Sequence, residues 1–200
     1  MIQLRVSADR DRMPSEMQVR ELYRAASSGP PLNEPEAVAD LFARLYATSS
    51  SAEHLHAVSA VEDGRLLAFA YGHRWRWDEQ SDQWGTQLRL RLGPAARMLE
   101  GTVVLSLLAR HPDVAGTGLG ARVLDAWLAG LDGEAVWLQT TDISTPALRL
   151  YERFGFTPIG HGPDAPDGQP GLVLHRMPTT RKPIEYRVIA GRRGSLVDRC

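Results

Sequence analysis

Cysteine is nearly missing from this 200-residue chain, Cys200 being the only one. No internal disulfide can form, which fits a reducing compartment. Lysine is as scarce: Lys182 stands alone, and arginine supplies the rest of the 23 basic side chains. An excess of either charge is absent too, because 24 acidic groups leave a net charge of −1. That balance offers no electrostatic basis for gripping nucleic acid or an anionic membrane. No apolar run reaches the ~20 residues that span a bilayer. Arg5, Arg10 and Arg12 interrupt any leader-like apolar segment. These absences predict a cytoplasmic protein without nucleic-acid or membrane partners. His54 and His56 lie two apart, but no third ligand follows at metal spacing, so no metal is expected. What remains is an ordinary globular composition, 43% hydrophobic and 24% charged, in a length that suits one domain.

The chain is organised around Val103 to Leu128. An apolar run, Val103–Ala109, has the length and the Val and Leu content of a buried strand. A short loop follows, then alternating glycines at Gly116, Gly118 and Gly120. Leu119, Val123, Leu124, Trp127 and Leu128 then recur at helical spacing. Strand, glycine loop, helix is an order suited to anion capture. The first N–H groups of a helix have no intrahelical partner, and the helix dipole adds partial positive charge there. Glycines let several N–H groups converge on one phosphate. No Lys follows the last glycine, which excludes a nucleotide P-loop, and the spacing is not that of a dinucleotide site.

The decapeptide His111-Pro112-Asp113-Val114-Ala115-Gly116-Thr117-Gly118-Leu119-Gly120 resembles the acetyl-CoA loop of the GNAT N-acetyltransferase superfamily. About thirty residues on, Thr145-Pro146-Ala147-Leu148-Arg149-Leu150-Tyr151-Glu152-Arg153-Phe154-Gly155-Phe156 resembles the family's second motif. The resemblance runs roughly from Val58 to Met177. It implies a mixed α/β fold, with a mostly antiparallel central sheet flanked by helices and acetyl-CoA in a V-shaped opening between central strands. It also implies a domain over residues 1–177, followed by a basic extension over 178–200.

The remaining elements follow from local pattern. Ile2–Val6 alternates as a first strand. Pro14 to Ser28 reads as a helix capped by Ser15. Asn33 is expected to cap a second helix, with Pro35 inside its start and Val38, Leu41, Phe42 and Leu45 as its apolar face. His56–Val61 and Leu66–Tyr71 form a hairpin around Asp63-Gly64. Gln87–Leu92 alternates like an added strand, and Pro94–Leu99 like a helical turn. Ala135–Thr140 is a buried strand. Thr145 caps a helix with Pro146 at its first position, and Gly155 ends it. Phe156–Ile159 and Leu172–Arg176 are the last strands, separated by a loop over Gly160–Gly171. Ile184–Ile189 suits an extra strand in an otherwise loosely ordered tail.

Function follows from the resemblance. It implies that acetyl-CoA pyrophosphate rests on the N–H groups of Ala115, Gly116, Thr117, Gly118, Leu119 and Gly120. The pantetheine arm would pair with the central strand at Leu108, Ala109 and Arg110, with Thr145, Leu150 and Tyr151 completing its surroundings. The Leu108 N–H would polarise the thioester carbonyl. Tyr151 would protonate the departing sulfur. His73, Trp75 and Trp77 are assigned to the acceptor, because aromatics outside a periodic core pattern often line a binding surface. Three positions depart from the family pattern: Ala115 for Arg or Gln, Thr145 for Asn, and Leu107 for a frequent Glu base. His73, Glu100 and Asp142 are the alternative bases, and Ser106 could hold a water. The expected activity is transfer of an acetyl group to a small-molecule amine, with a peptide or protein amine second and a homodimer left open. Two rivals stand beside it: an acyl-CoA-binding protein with weak or no catalysis, and an interaction module built on Trp75, Trp77 and Trp84.

Overall fold

The structure, a computed structural model, describes residues 2–49, 55–166 and 168–179. Its elements in order are β1 (Gln3–Ser7), α1 (Glu16–Ser27), α2 (Glu36–Ser49), β2 (His56–Glu62), β3 (Arg65–Arg74), α3 (Gln83–Leu92), β4 (Val103–Arg110), α4 (Leu119–Ala129), β5 (Val136–Thr141), α5 (Pro146–Arg153), β6 (Thr157–Gly162) and β7 (Gly171–Arg176). The strands form one sheet in the order β1-β2-β3-β4-β5-β7-β6. Every neighbouring pair is antiparallel except β4 and β5. The mixed α/β fold implied by the resemblance is the one observed.

Local chemistry accounts for most boundaries. Ser15 and Gln18 form a reciprocal capping box at the start of α1. Asp63 and Gly64 both take positive φ, 49° and 79°, as a two-residue β2–β3 turn requires. Gly155, at φ 82°, ends α5 in the left-handed conformation that glycine tolerates best.

Both sheet faces are covered. Leu119, Val123, Leu124, Trp127 and Leu128 of α4 pack with Leu150 and Tyr151 of α5 on one face. On the other, Val19, Leu22 and Tyr46 from α1 and α2 cover Phe69, Tyr71, Leu107 and Ala109. Beside them, α3 brings Leu88 and Leu92 onto Val104, Trp137 and Val173.

Three expectations need correction. Gln87–Leu92 is helical: Asp82 Oδ1 accepts from Gly85 N at 2.7 Å and starts α3. Leu88 and Leu92 are buried at i, i+4 spacing, while Leu90 between them is 79% exposed. The second helix begins at Glu36, and Asn33 lies outside it with φ 49°. Its buried face is Val38, Ala39, Ala43 and Tyr46, whereas Leu41 and Leu45 are exposed. Small alanines let the helix approach the sheet, and Tyr46 carries the buried area, so the stripe is rotated by about one residue, near 100°. The Gly160–Gly171 loop is shorter than expected because β6 runs to Gly162. His54, the Ile184–Ile189 strand and the basic extension from residue 180 onward lie outside the described residues.

Candidate active site

The site begins with a pairing defect. β3 and β4 pair Tyr71 with Leu107 and then Gly72 with Leu105, leaving Ser106 as an extra residue in β4. Gly72 is the residue that permits this. A Cβ there would overlap the Val104 carbonyl and sit 2.7 Å from the Trp127 ring. A glycine inside an otherwise apolar strand was the one sequence signal for the bulge.

Beyond the bulge, β4 loses its second neighbour. β4 and β5 pair only at Val103–Val136 and Val104–Trp137, and from there they diverge into a V. On the closed side, His111 N donates to Leu67 O at 2.8 Å, and Arg110 lies opposite Ala68. Strand alternation then turns the amides of Leu108 and Arg110 away from β3 and into the gap. They face an opening with no strand to pair with.

At the open end of the V, β4 passes into the glycine loop. The His111 ring accepts from Asp113 N at 3.2 Å. Arg65 donates to Asp113 at 2.9 Å and ties the β2–β3 hairpin to this turn. Gly116 and Gly118 take φ of 77° and 74°. Gly118 is the N-cap of α4 and offers no side-chain cap. The N–H groups of Gly116, Gly118, Leu119 and Gly120 therefore lack partners among the described residues. Ala115 and Thr117 differ from expectation. Ala115 N donates to Pro112 O at 2.8 Å and Thr117 N to Val114 O at 3.4 Å, closing the preceding turn. The free cradle is narrower than the motif suggested.

α5 forms the adjoining wall. Thr145 Oγ1 accepts from Leu148 N at 3.0 Å, so this side chain is engaged in capping. Leu150 lies beside Gly120 at the start of α4, where a Cβ would meet its Cδ2 only at a van der Waals distance of 4.0 Å. Tyr151 is buried, with its ring edge-on to Phe156 at 5.8 Å. Its hydroxyl has no hydrogen-bond partner among the described residues. Burial pushes the phenol pKa up and keeps it protonated at neutral pH.

The acceptor-side residues divide. His73 Nδ1 lies 3.4 Å from Ser106 Oγ. Burial lowers the His73 pKa, partly opposed by the Glu79 charge. Trp75 offers no surface to an acceptor. It is 4% exposed and stacks edge-on to Trp137 at 4.8 Å within the core under α3. Trp77 lines an open surface depression with Arg89, Pro94, Arg97 and Glu100, and Arg89 lies 5.5 Å from its ring. Trp84 is 37% exposed on α3. Glu100 accepts from Trp77 N at 2.9 Å, and Asp142 pairs with His161 at 2.8 Å. Of the three alternative bases, only His73 contacts β4 at its bulge. Among the described residues no three His, Cys, Asp or Glu side chains cluster as a metal site needs, and no helix is long and apolar enough to cross a membrane.

The sequence model of the Acetyltransferase (GNAT) family matches residues 17–156. Solved structures share the fold. The ribosomal-protein-S18-alanine N-acetyltransferase from Escherichia coli is 17% identical, with TM-score 0.58, covering 92% of this chain and 98% of its own. A histone acetyltransferase HPA2 and related acetyltransferase from Corynebacterium glutamicum is 22% identical, with TM-score 0.59, over 89% and 97%. The protein yncA from Salmonella typhimurium, solved with its cofactor acetyl-CoA, is 15% identical, with TM-score 0.56, over 91% and 95%. Among curated proteins no sequence matches the chain at a significant level.

Proposed function

The chain belongs to the Acetyltransferase (GNAT) family, and on that premise we propose that it moves an acetyl group from acetyl-CoA to the amine of a small molecule by direct attack. The observation that carries this reading is the parting of β4 from β5 after Val104 and Trp137, with the Leu108 and Arg110 amides turned into the gap. Unpaired strand amides at an interior opening suit an extended, amide-bearing ligand such as the pantetheine arm. The free N–H groups from Gly116 to Gly120 stand at the positive end of α4 and suit its pyrophosphate. Acetyl-CoA brings the activated thioester carbonyl.

The chain's own groups then divide the work. The Leu108 N–H donates to the thioester oxygen as negative charge develops there. As the amine nitrogen bonds to the acetyl carbon and the carbon–sulfur bond breaks, Tyr151 gives its proton to the sulfur. Burial keeps that proton in place beforehand. A small acceptor is favoured because α1–α2 on one side and α3 on the other cover the same sheet face. They leave the bulge between two walls rather than on an open surface.

The test is thiol release from acetyl-CoA with a panel of acceptors: a primary alkylamine, a polyamine, an aminoglycoside and a peptide with a free N-terminus. Turnover on a small amine, above the rate without acceptor, is the expected result. Turnover confined to the peptide would overturn the small-molecule assignment, and no turnover on any acceptor would overturn acetyl transfer.

A further inference from the structure

Leu107 stands where a carboxylate base is expected from the family pattern, and its side chain is buried against Phe69 and Tyr71 under α1 and α2. The proton of an attacking amine must still leave. Glu100 is occupied by the Trp77 N–H, and Asp142 by His161.

His73 is placed differently. It lies on β3 two residues beyond Tyr71, so the two share the sheet face that α1 and α2 cover. It is paired in register with Val104, which packs under α3. The ring therefore stands at the seam between the two covers. Ser106 is the unpaired residue of the bulge, one and two positions before Leu107 and Leu108. Its Oγ is 3.4 Å from His73 Nδ1. The extra residue places a hydroxyl beside a histidine of the neighbouring strand, two positions before the Leu108 amide that faces the gap.

We propose that Ser106 and His73 form a proton relay for the acceptor amine, and that the natural acceptor is therefore an amine protonated at neutral pH. The inference rests on the acetyl-transfer reading above. In balance, the ammonium first gives one proton to Ser106 Oγ, whose own hydroxyl proton passes to His73 Nδ1, leaving an imidazolium that returns its proton to solvent. The neutral nitrogen then bonds to the acetyl carbon. As the carbon–sulfur bond breaks, Tyr151 gives its proton to the sulfur, and the second proton lost by the nitrogen restores the phenol. An acceptor with an ammonium pKa well above 7 needs such a sink, whereas aniline, neutral already, does not.

Among the described residues the groups facing His73 are few. Ser106 faces it from β4, and Tyr71, protonated by its burial, lies two residues away on β3. The Glu79 charge acts from the Trp77–Glu79 turn. Arg76 is held by Asp78 and Glu79.

The experiment compares wild type, His73→Gln, Ser106→Ala and Ser106→Thr with a primary alkylamine and with aniline, across pH 5 to 9. Acetyl-CoA binding is followed separately by calorimetry. The relay predicts that His73→Gln and Ser106→Ala lose roughly 100-fold or more in kcat on the alkylamine. Both should lose less than tenfold on aniline, with acetyl-CoA affinity unchanged and the acidic limb of the profile gone in His73→Gln. Ser106→Thr restores the alkylamine rate. An equal loss on both amines, or an unchanged acidic limb in His73→Gln, would overturn the relay. An acetyl adduct on Ser106 would overturn it too, by showing a covalent route. Should His73→Gln fail to fold, the Ser106 pair carries the same comparison. Absent acetyl-CoA binding in the wild type would instead refute the acetyl-transfer reading itself.

Discussion

His56 and Trp127 hold each other by two hydrogen bonds. The His56 ring donates through Nε2 to Trp127 O at 3.0 Å, and the Trp127 indole Nε1 donates to His56 O at 3.0 Å. The pair locks the start of β2 to the end of α4, the helix whose N-terminus forms the glycine cradle. Gly130 is part of the lock, because a Cβ there would overlap the His56 ring. Trp127→Phe removes the donor to the part-buried His56 carbonyl and leaves a void beside it. We expect a loss of about 3 kcal/mol in unfolding free energy, read by urea titration.

The same histidine sets a pH dependence. Burial lowers the pKa of His56, of His73 and of His175 below the ordinary 6.5. The unfolded chain therefore binds more protons than the native one once pH falls below about 6.5. The stabilisation from these neutral rings is fully present above that value and is lost as pH drops through the folded pKa values. Urea midpoints should be flat from pH 7 to 8 and fall steadily from 6.5 to 5. A midpoint rising toward pH 5 would contradict the assignment.

Gly72→Ala tests the bulge. Its new Cβ would meet the Val104 carbonyl and the Trp127 ring. Neither can retreat, since one is sheet backbone and the other a fully buried indole. A destabilisation of about 3 kcal/mol is expected, with a lower melting temperature. Gly64→Ala, at a positive φ that Gly72 does not share but with open space around it, should cost only about 1–2 kcal/mol.

Gly118→Val tests the cradle. Open space surrounds Gly118, so the cost is the backbone's φ of 74°. We expect a stability loss of about 1–2 kcal/mol. Acetyl-CoA affinity should fall at least tenfold, because the N-cap must leave the left-handed conformation that opens the N–H groups. Calorimetric titration reads the second effect separately from the first.

Tyr151→Phe separates chemistry from packing. The phenol hydroxyl has no partner among the described residues, so its removal breaks no hydrogen bond. Stability should change little, while kcat falls roughly 100-fold at an unchanged KM for acetyl-CoA. A variant equally active and equally stable would remove Tyr151 from the mechanism.

Much of this was legible in the sequence, where local chemistry decided the outcome. Ser15, Thr145 with Pro146, the Asp63-Gly64 turn and Gly155 each act on their own neighbours, and each ended or began its element as their chemistry dictates. Tertiary context hid the rest. Leu88, Leu90 and Leu92 alternate as a strand would, and only the Asp82 cap and the packing of Leu88 and Leu92 against Val104, Trp137 and Val173 make them helical. The Ser106 bulge depends on which residues β3 opposes, so only Gly72 hinted at it. Ala115 sits inside the loop motif, yet its N–H closes a turn onto Pro112, a fact of backbone angles that side-chain identity does not carry. Trp75 lies in a polar stretch of sequence, but its ring turns into the core that α3 completes.

The central claim is that this chain binds acetyl-CoA in the gap between β4 and β5. Thermal unfolding with and without saturating acetyl-CoA tests it most directly. At about a hundred times the dissociation constant, binding adds roughly 2.7 kcal/mol. For a chain of this size the melting temperature should rise by roughly 5–10 °C, and the tenfold or greater affinity loss in Gly118→Val should remove about half of that rise or more. An unchanged melting temperature at millimolar acetyl-CoA would contradict the account.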